Sequence, residues 1–459
     1  VPILRPFRAL RYVPTHVPDL SAVLCPPYDV IGREEQIDLL KRHPYNAVRL
    51  ELPSSPAHGA AATAEGRPAA EGGTQDDARY RQAARDLAAW RSQGVLAKDA
   101  LPSVYVHEMR YASGSTGGAS VARGFMIRLR LEPLGSGGGV RPHERTMSGP
   151  KEDRYRLLRA TGTNLSPVVL LHEQPGTAAA LDALTAGPPE AVAGDSSGIH
   201  HSLWVVAAGA GGGASQGHGA DAVAARELLG VVEGAPLTIA DGHHRYETAL
   251  RYREERGERR ACESDPAYDY VLALIYALDA APAALATHRV VRGLRAAEGT
   301  GFLAAAEELF QIERLADAEQ LRDRLVRSTA EPGTGRFGYH GPDGVALLTA
   351  IRERFVALLD PALPEAARWL DTNLLAVALR HLAAIGPQAL IGGERVTYVK
   401  DAAAALALAS DSEATAFLLD PTPVSAVLRV ADAGGVMPQK STYFHPKAPT
   451  GLLFNPLEQ

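Results

Sequence analysis

The stretch Ile239-Ala240-Asp241-Gly242-His243-His244-Arg245 decides the reading of this chain. Pro236 to Ala240 is a short apolar run, Asp241-Gly242 is a turn dipeptide, and His243 to Arg256 carries apolar residues at Tyr246, Ala249 and Leu250. That pattern predicts a strand passing through a tight turn into a helix. The first amides of a helix have no intrahelical acceptor and lie at the positive end of its dipole, so they attract anions. Gly242 lets a phosphate approach the backbone, and Arg245 offers a two-pronged donor. His243 and His244 add donors or a proton shuttle, while Asp241 suits a magnesium ion or a hydroxyl proton. Asp241 also suits a simple helix cap, but four chemically capable side chains around one glycine favour function over capping.

The surrounding sequence alternates strands and helices. Strands are expected over Ser103 to Met109, Val121 to Leu131, Pro167 to His172, Ser202 to Ala207, Pro236 to Ala240 and Tyr270 to Ala277. Helices are expected over Asp76 to Gln93, Asp221 to Leu229, His243 to Arg256, Phe302 to Phe310, Asp317 to Arg327 and Pro364 to Ala384. Small, flexible residues mark loops over Pro53 to Gly73, Ala112 to Ser120, Gly135 to Gly139, Gly187 to Gly198 and Gly209 to Gly219. The interleaving predicts an α/β architecture. With 459 residues, two lobes are expected. One is an α/β lobe over 1–290 and the other a more helical lobe over 291–459, whose loop 437–454 returns to the site.

Composition bounds the function. A hydrophobic fraction of 46% and a charged fraction of 22% are those of a chain that buries a core. No apolar run is long enough for a bilayer and the first residues lack a signal-peptide pattern, so a cytoplasmic location without membrane attachment is expected. Cys25 and Cys262 stand apart, supporting neither a disulfide framework nor a zinc site. A net charge of -6 with no dense basic tract argues against nucleic acid as a partner.

Two further segments are rich in polar chemistry. Arg141 to Arg159 holds six Lys/Arg against three Asp/Glu, with Pro150 suited to a first helical position and Lys151, Arg154 and Tyr155 on one helical face. Glu144 stands in it as a possible general base. Met437 to Gly451 carries Lys440, Ser441, Thr442, a second lysine and a histidine without one acid, and so suits anions. A solvated helix and an ordered terminal loop are the simpler accounts of these two segments. Near the N-terminus, Pro26-Pro27-Tyr28-Asp29 reads as a rigid turn and, secondarily, a pocket wall.

Taken in order, Pro6 to Tyr12, Pro26 to Ile31, Glu144-Arg145-Thr146, Gly149-Pro150-Lys151, Asn164 to Pro167, Ala240 to Tyr246, Thr287-His288-Arg289 and Lys440-Ser441-Thr442 resemble a widespread prokaryotic family. It is catalogued as domain of unknown function number one thousand and fifteen. Asp241 to Arg245 also resembles the nucleotide-contacting motif of the ParB/sulfiredoxin-like superfamily, which includes partition CTPases, sulfiredoxins and free L-serine kinases. The resemblance implies a mixed-sheet core whose turn and helix start hold nucleotide phosphates. Sulfiredoxin chemistry needs a cysteine where this chain has histidine, and the partition proteins add a DNA-binding element not found here. The kinase branch fits best, since it pairs an Asp-Gly-His-His-Arg-like motif with an upstream glutamate, for which Glu144 is the candidate.

The expected activity is therefore phosphoryl transfer from ATP or ADP, with Mg²⁺, to the hydroxyl of a small metabolite, free L-serine being favoured. Asp241, Glu144 and His244 are the expected catalytic residues, with Asp241 on the metal. Gly242, His243, His244, Arg245, Lys151, Arg154, Lys440, Ser441 and Thr442 are expected on the nucleotide. A nucleotide switch with slow hydrolysis and a phosphoester hydrolase remain alternatives.

Overall fold

The computed structural model describes residues 1–54, 77–113, 118–135, 137–144, 148–208, 218–257, 265–295, 301–326, 334–386, 389, 395–410, 413–438 and 440–458. The chain divides into two compact units, the first made of 1–142, 146–282 and 446–459 and the second of 143–145 and 283–445. Cys262 and much of the loops expected at 53–73 and 209–219 lie outside the described residues. Among the described residues no helix is long and apolar enough to cross a membrane.

The first unit is built on a nine-stranded mixed sheet. Its strands are β1 (Leu4–Arg5), β2 (Ser103–Ser113), β3 (Gly118–Arg130), β4 (Val140–Arg141), β5 (Val168–His172), β6 (Ala191–Gly194), β7 (His200–Ala207), β8 (Leu237–Asp241) and β9 (Tyr270–Ala277). They run in the order β4-β8-β5-β9-β3-β2-β7-β6, with β1 also beside β3. Only the β4/β8 and β5/β9 pairs are parallel. Strands β5 and β9 are buried at every position, as central strands covered on both faces must be. Gly187 to Gly198, expected as a loop, contributes the short strand β6, paired with β7 through Ala193 and His201. Its small residues form an edge, where little side-chain packing is demanded.

Besides the helices Arg33–Arg42 and Val48–Glu51, this unit carries helices α1 (Asp77–Ser92), α2 (Ser148–Thr161), α3 (Thr177–Leu184), α4 (His218–Val232) and α5 (His243–Gly257). The last four pack on the sheet: Tyr155, Leu181, Leu228, Tyr246 and Tyr252 join Phe125, Ile127, Leu170, Ile239 and Ile275 in one core. Helix α1 belongs to a second cluster, where Tyr80, Leu87 and Trp90 meet Leu10, Tyr12, Val48 and Phe454.

The second unit carries a six-stranded sheet that periodicity did not reveal. Its strands are β10 (His288–Arg292), β11 (Phe310–Leu315), β12 (Arg336–Gly341), β13 (Gly344–Ala350), β14 (Val396–Val399) and β15 (Ala414–Leu418), in the order β11-β13-β12-β15-β10-β14. Every pairing is antiparallel. The helix expected over Phe302 to Phe310 stops at Ala306, and Phe310 opens β11. The helix expected over Pro364 to Ala384 is two, Glu365–Arg368 and α6 (Asp371–Ala383).

Candidate functional site

Asp241 ends β8, and α5 begins two residues later. The β8/β5 register slips between Ile239 and Asp241, which pair with Leu170 and Val169. Such a bulge turns the side chain that follows it away from the strand's alternation. Gly242 has φ +90°, a conformation that a side chain would strain. The turn thus depends on glycine, and it presents the carboxylate of Asp241 beside the first turn of a 15-residue helix.

Two cations close on that carboxylate. Arg245, four residues on, donates to Asp241 and also to the carbonyl oxygen of Pro167 at the entry to β5. Its Nε is buried with no hydrogen-bond partner among the described residues. Lys447 donates from the C-terminal segment to Asp241 and, at 3.0 Å, to Asp29. Burial alone would raise the Asp241 pKa, but Lys447, Arg245 and, more weakly, His243 hold it well below the ordinary carboxylate range. Burial equally opposes the charge on Lys447, and Asp241 and Asp29 outweigh it, raising that pKa. The result is a cluster of four charges, two of each sign, in which Asp241, Arg245 and Lys447 are half-buried and Asp29 is exposed.

A second polar layer supports it. Arg154 on α2 stacks its guanidinium 4.0 Å above the Tyr28 ring and donates to the Glu51 carbonyl oxygen at 2.7 Å and to Asp153 at 2.8 Å. Ser166 donates to the Glu51 carboxylate at 3.1 Å. Burial raises the Tyr28 phenol to about 12, against the nearby Arg154 and Arg245. A cavity of about 40 Å³ lies among Glu51, Arg154, Asn164, Ser166, Arg245 and Thr248. That is room for water and not for a nucleotide.

The structure distributes the expected site residues unevenly. Asp241, Gly242, His243, His244 and Arg245 form the strand-turn-helix as read, with both histidines half-buried at the helix start. Arg245 is engaged by Asp241 and Pro167 within the protein. Lys151 pairs with Glu247 on α5 at 2.7 Å, and Arg154 is buried against Glu51 and Asp153. Lys151 and Tyr155 both meet α5, through Glu247 and Glu255, while Arg154 turns towards Tyr28 and Glu51. Asp29 and Lys447 are not among the residues expected in the site from the sequence. The signals were present, since Asp29 sits in the proline-rich turn and Lys447 in the acid-free segment, but neither motif says which residue it meets.

The remaining expected residues, Glu144, Lys440, Ser441 and Thr442, belong to the second unit. There Glu144 Oε1 accepts the Lys440 amide at 3.0 Å, and Lys440 has φ +59°, a left-handed conformation unusual for a residue with a side chain. Ser441 donates to the Pro438 carbonyl oxygen at 2.6 Å and lies 3.0 Å from the Thr372 hydroxyl, and Thr442 meets His143 at 3.1 Å.

The family model described as protein of unknown function (DUF1015) matches residues 4–373. The chain belongs to that family. No curated protein matches this DUF1015 chain. Among solved structures, it is similar to a conserved hypothetical protein from Pyrococcus furiosus, with 12% identity, 71% of this chain and 93% of that chain covered, and a TM-score of 0.33. It is similar to free serine kinase in complex with AMP at 12% identity, with 71% and 94% covered and a TM-score of 0.33. A C-terminally truncated SbnI from Staphylococcus aureus gives 9% identity, 72% and 88% coverage and a TM-score of 0.33. Likenesses of this degree assign no activity to the DUF1015 chain.

Proposed function

We propose that this protein is a nucleotide-dependent kinase that moves a phosphoryl group from ATP or ADP to the hydroxyl of a small metabolite, with free L-serine as the favoured acceptor. The observation that carries the reading is the ionised Asp241 held between Lys447 and Arg245 at the glycine turn opening α5. Phosphoryl transfer asks chiefly for positioning and neutralisation of phosphate charge, and a helix start flanked by fixed cations supplies both.

The donor set suits Mg²⁺, a hard cation that takes a few carboxylate oxygens and completes its shell with water and phosphate oxygens. Asp29 and Asp241, which already share one ammonium group, would hold it. Bound there, the metal would neutralise phosphate charge. Among the described residues no group of three or more His, Cys, Asp or Glu is placed to hold a metal ion. In this reading Lys447 and the α5 amides bind phosphate, and His243 and His244 donate to it or move a proton. Arg245 orients Asp241.

The test offers ATP and ADP separately with L-serine and Mg²⁺ and follows O-phosphoserine. Tight nucleotide binding without product from serine or from a panel of small alcohols would replace the kinase by a nucleotide switch. Release of phosphate from phosphoesters without nucleotide would make the protein a hydrolase.

A further inference from the structure

The charge cluster at the turn has a property that neither the motif nor the fold implies. Its two carboxylates already share a cation, because Lys447 Nζ reaches Asp29 at 3.0 Å and also bonds Asp241. The Lys447 side chain is 10% exposed and that of Asp241 21%, so the ammonium is seated in the site. With Arg245 on the other Asp241 oxygen, these four side chains carry two charges of each sign. A divalent cation arriving alone must displace Lys447 and leave positive charge in excess in a half-buried place, where charge imbalance is poorly screened. A phosphate chain arriving alone meets amides and cations whose charge is already matched by carboxylates. Arriving together, the two cancel. The phosphates would draw Lys447 off the carboxylates of Asp29 and Asp241, which could then hold the metal.

We propose that Lys447 is a displaceable counter-cation that makes a divalent metal and a nucleotide's phosphates load into this site as a coupled pair. The proposal rests on the nucleotide reading above for its second ligand, while the exchange between Lys447 and a metal stands on the Asp29, Asp241 and Lys447 geometry alone. Coupling of this kind is reciprocal, so the factor by which nucleotide tightens metal equals the factor by which metal tightens nucleotide.

The experiment uses the full chain, Mn²⁺ as the metal, read by the magnetic resonance signal of the free ion, and ADP as the nucleotide. In the wild type, Mn²⁺ is expected to bind weakly alone and at least about tenfold more tightly with saturating ADP, the scale of a modest coupling. Lys447→Met removes the competitor and should tighten Mn²⁺ alone by at least about tenfold, with ADP then adding little. Lys447→Met with Asp29→Asn should lose that gain, and Lys447→Arg should keep the weak binding of the wild type. If Lys447→Met does not fold, Lys447→Gln gives the same reading, since its amide can bond the carboxylates without a charge. Mn²⁺ affinity unchanged by loss of the lysine's charge would overturn the proposal and make Lys447 a structural ion pair. Failure of ADP to bind the wild type, with Lys447→Met still gaining Mn²⁺, would overturn the nucleotide reading and the coupling, and leave the metal exchange established.

Discussion

Arg245 folds back over the backbone of Gly242, so closely that a Cβ built on the glycine would lie 2.9 Å from Arg245 Nε and 3.0 Å from Cζ. The glycine thus serves the protein before it serves any ligand. It makes room for the guanidinium that ties the end of β8, at Asp241, to the entry of β5, at Pro167. From the sequence, Gly242 is expected to admit a phosphate and Arg245 to grip it. In the folded chain the two residues first build the turn on which a phosphate would rest.

Gly242→Ala should therefore fail twice, through the strain of φ +90° and through the displaced guanidinium. Forcing a side chain into such backbone costs about 1–3 kcal/mol. Chemical denaturation should show that loss, and ADP titration a weakened site. Adding Arg245→Ala should recover the part due to the clash and leave the part due to φ, which makes the double variant less than additive. Full additivity would show that the two residues do not interfere.

Arg245 bonds a carboxylate and a carbonyl oxygen on different strands, a task that needs a wide planar fork. Lysine has the charge without the fork. Arg245→Lys should thus be nearly as harmful as Arg245→Ala, each weakening nucleotide binding by about 1.5–3 kcal/mol, the scale of a hydrogen bond to a charged group. Calorimetric titration on the folded variants checks this, and unchanged affinity in Arg245→Lys would reduce the residue to a point charge.

The site was legible in the sequence where it is local. Asp241 to Arg245 are contiguous, and the dipeptide, the apolar run before it and the helical period after it fix their geometry. Loop 437–454 is expected from the sequence to return to the site, but that Lys447 is the residue of it that meets Asp241 was not legible, because the two lie 206 residues apart and no periodicity records a contact across that distance. The central strands of the first unit were readable because burial on both faces makes them continuous apolar runs, as in Tyr270–Ala277. Phe310–Leu315 was not, because its exposed and half-buried residues dilute the alternation and its Phe310 also fits the helix before it. The break after Arg368 in the helical run was hidden by the two apolar residues that fill it, Trp369 and Leu370, which keep the helical period while the chain turns.

Two buried histidines make stability depend on pH. His172 Nδ1 accepts the Gln174 amide at 3.1 Å, and His288 Nδ1 accepts the Leu419 amide at 3.1 Å, so protonating either ring breaks a hydrogen bond. Burial lowers both pKa values to about 4, against an ordinary value of 6.5. The native state therefore binds fewer protons than the unfolded one in that interval. Their contribution is complete above about pH 6.5 and is lost as pH falls towards 4, with a slope of about 1.4 kcal/mol per pH unit for each proton. Denaturant midpoints measured from neutral pH down to about pH 5 should show the decline. His172→Asn and His288→Asn keep an acceptor and should each flatten it, whereas an undiminished slope in both would move the effect to other groups.

The last test concerns Glu144, for which the second unit offers a structural role beside the chemical one. Its Oε1 accepts the amide of Lys440, whose φ of +59° needs holding, and the segment continues into the buried Ser441 bonded to Pro438. Glu144→Gln keeps an oxygen for the Lys440 amide and loses the charge and the basicity. Glu144→Ala loses both. If Glu144 is the base, Glu144→Gln should lower kcat by about a hundredfold or more, the low end for removing a general base, with ADP affinity and stability close to the wild type. Asp241→Asn should lower kcat by a similar factor, and it should also cost stability, because Arg245 and Lys447 both lose their shared carboxylate. If turnover survives in Glu144→Gln and fails only in Glu144→Ala, together with a drop in stability, the carboxylate anchors the Lys440 turn and proton transfer belongs to another group.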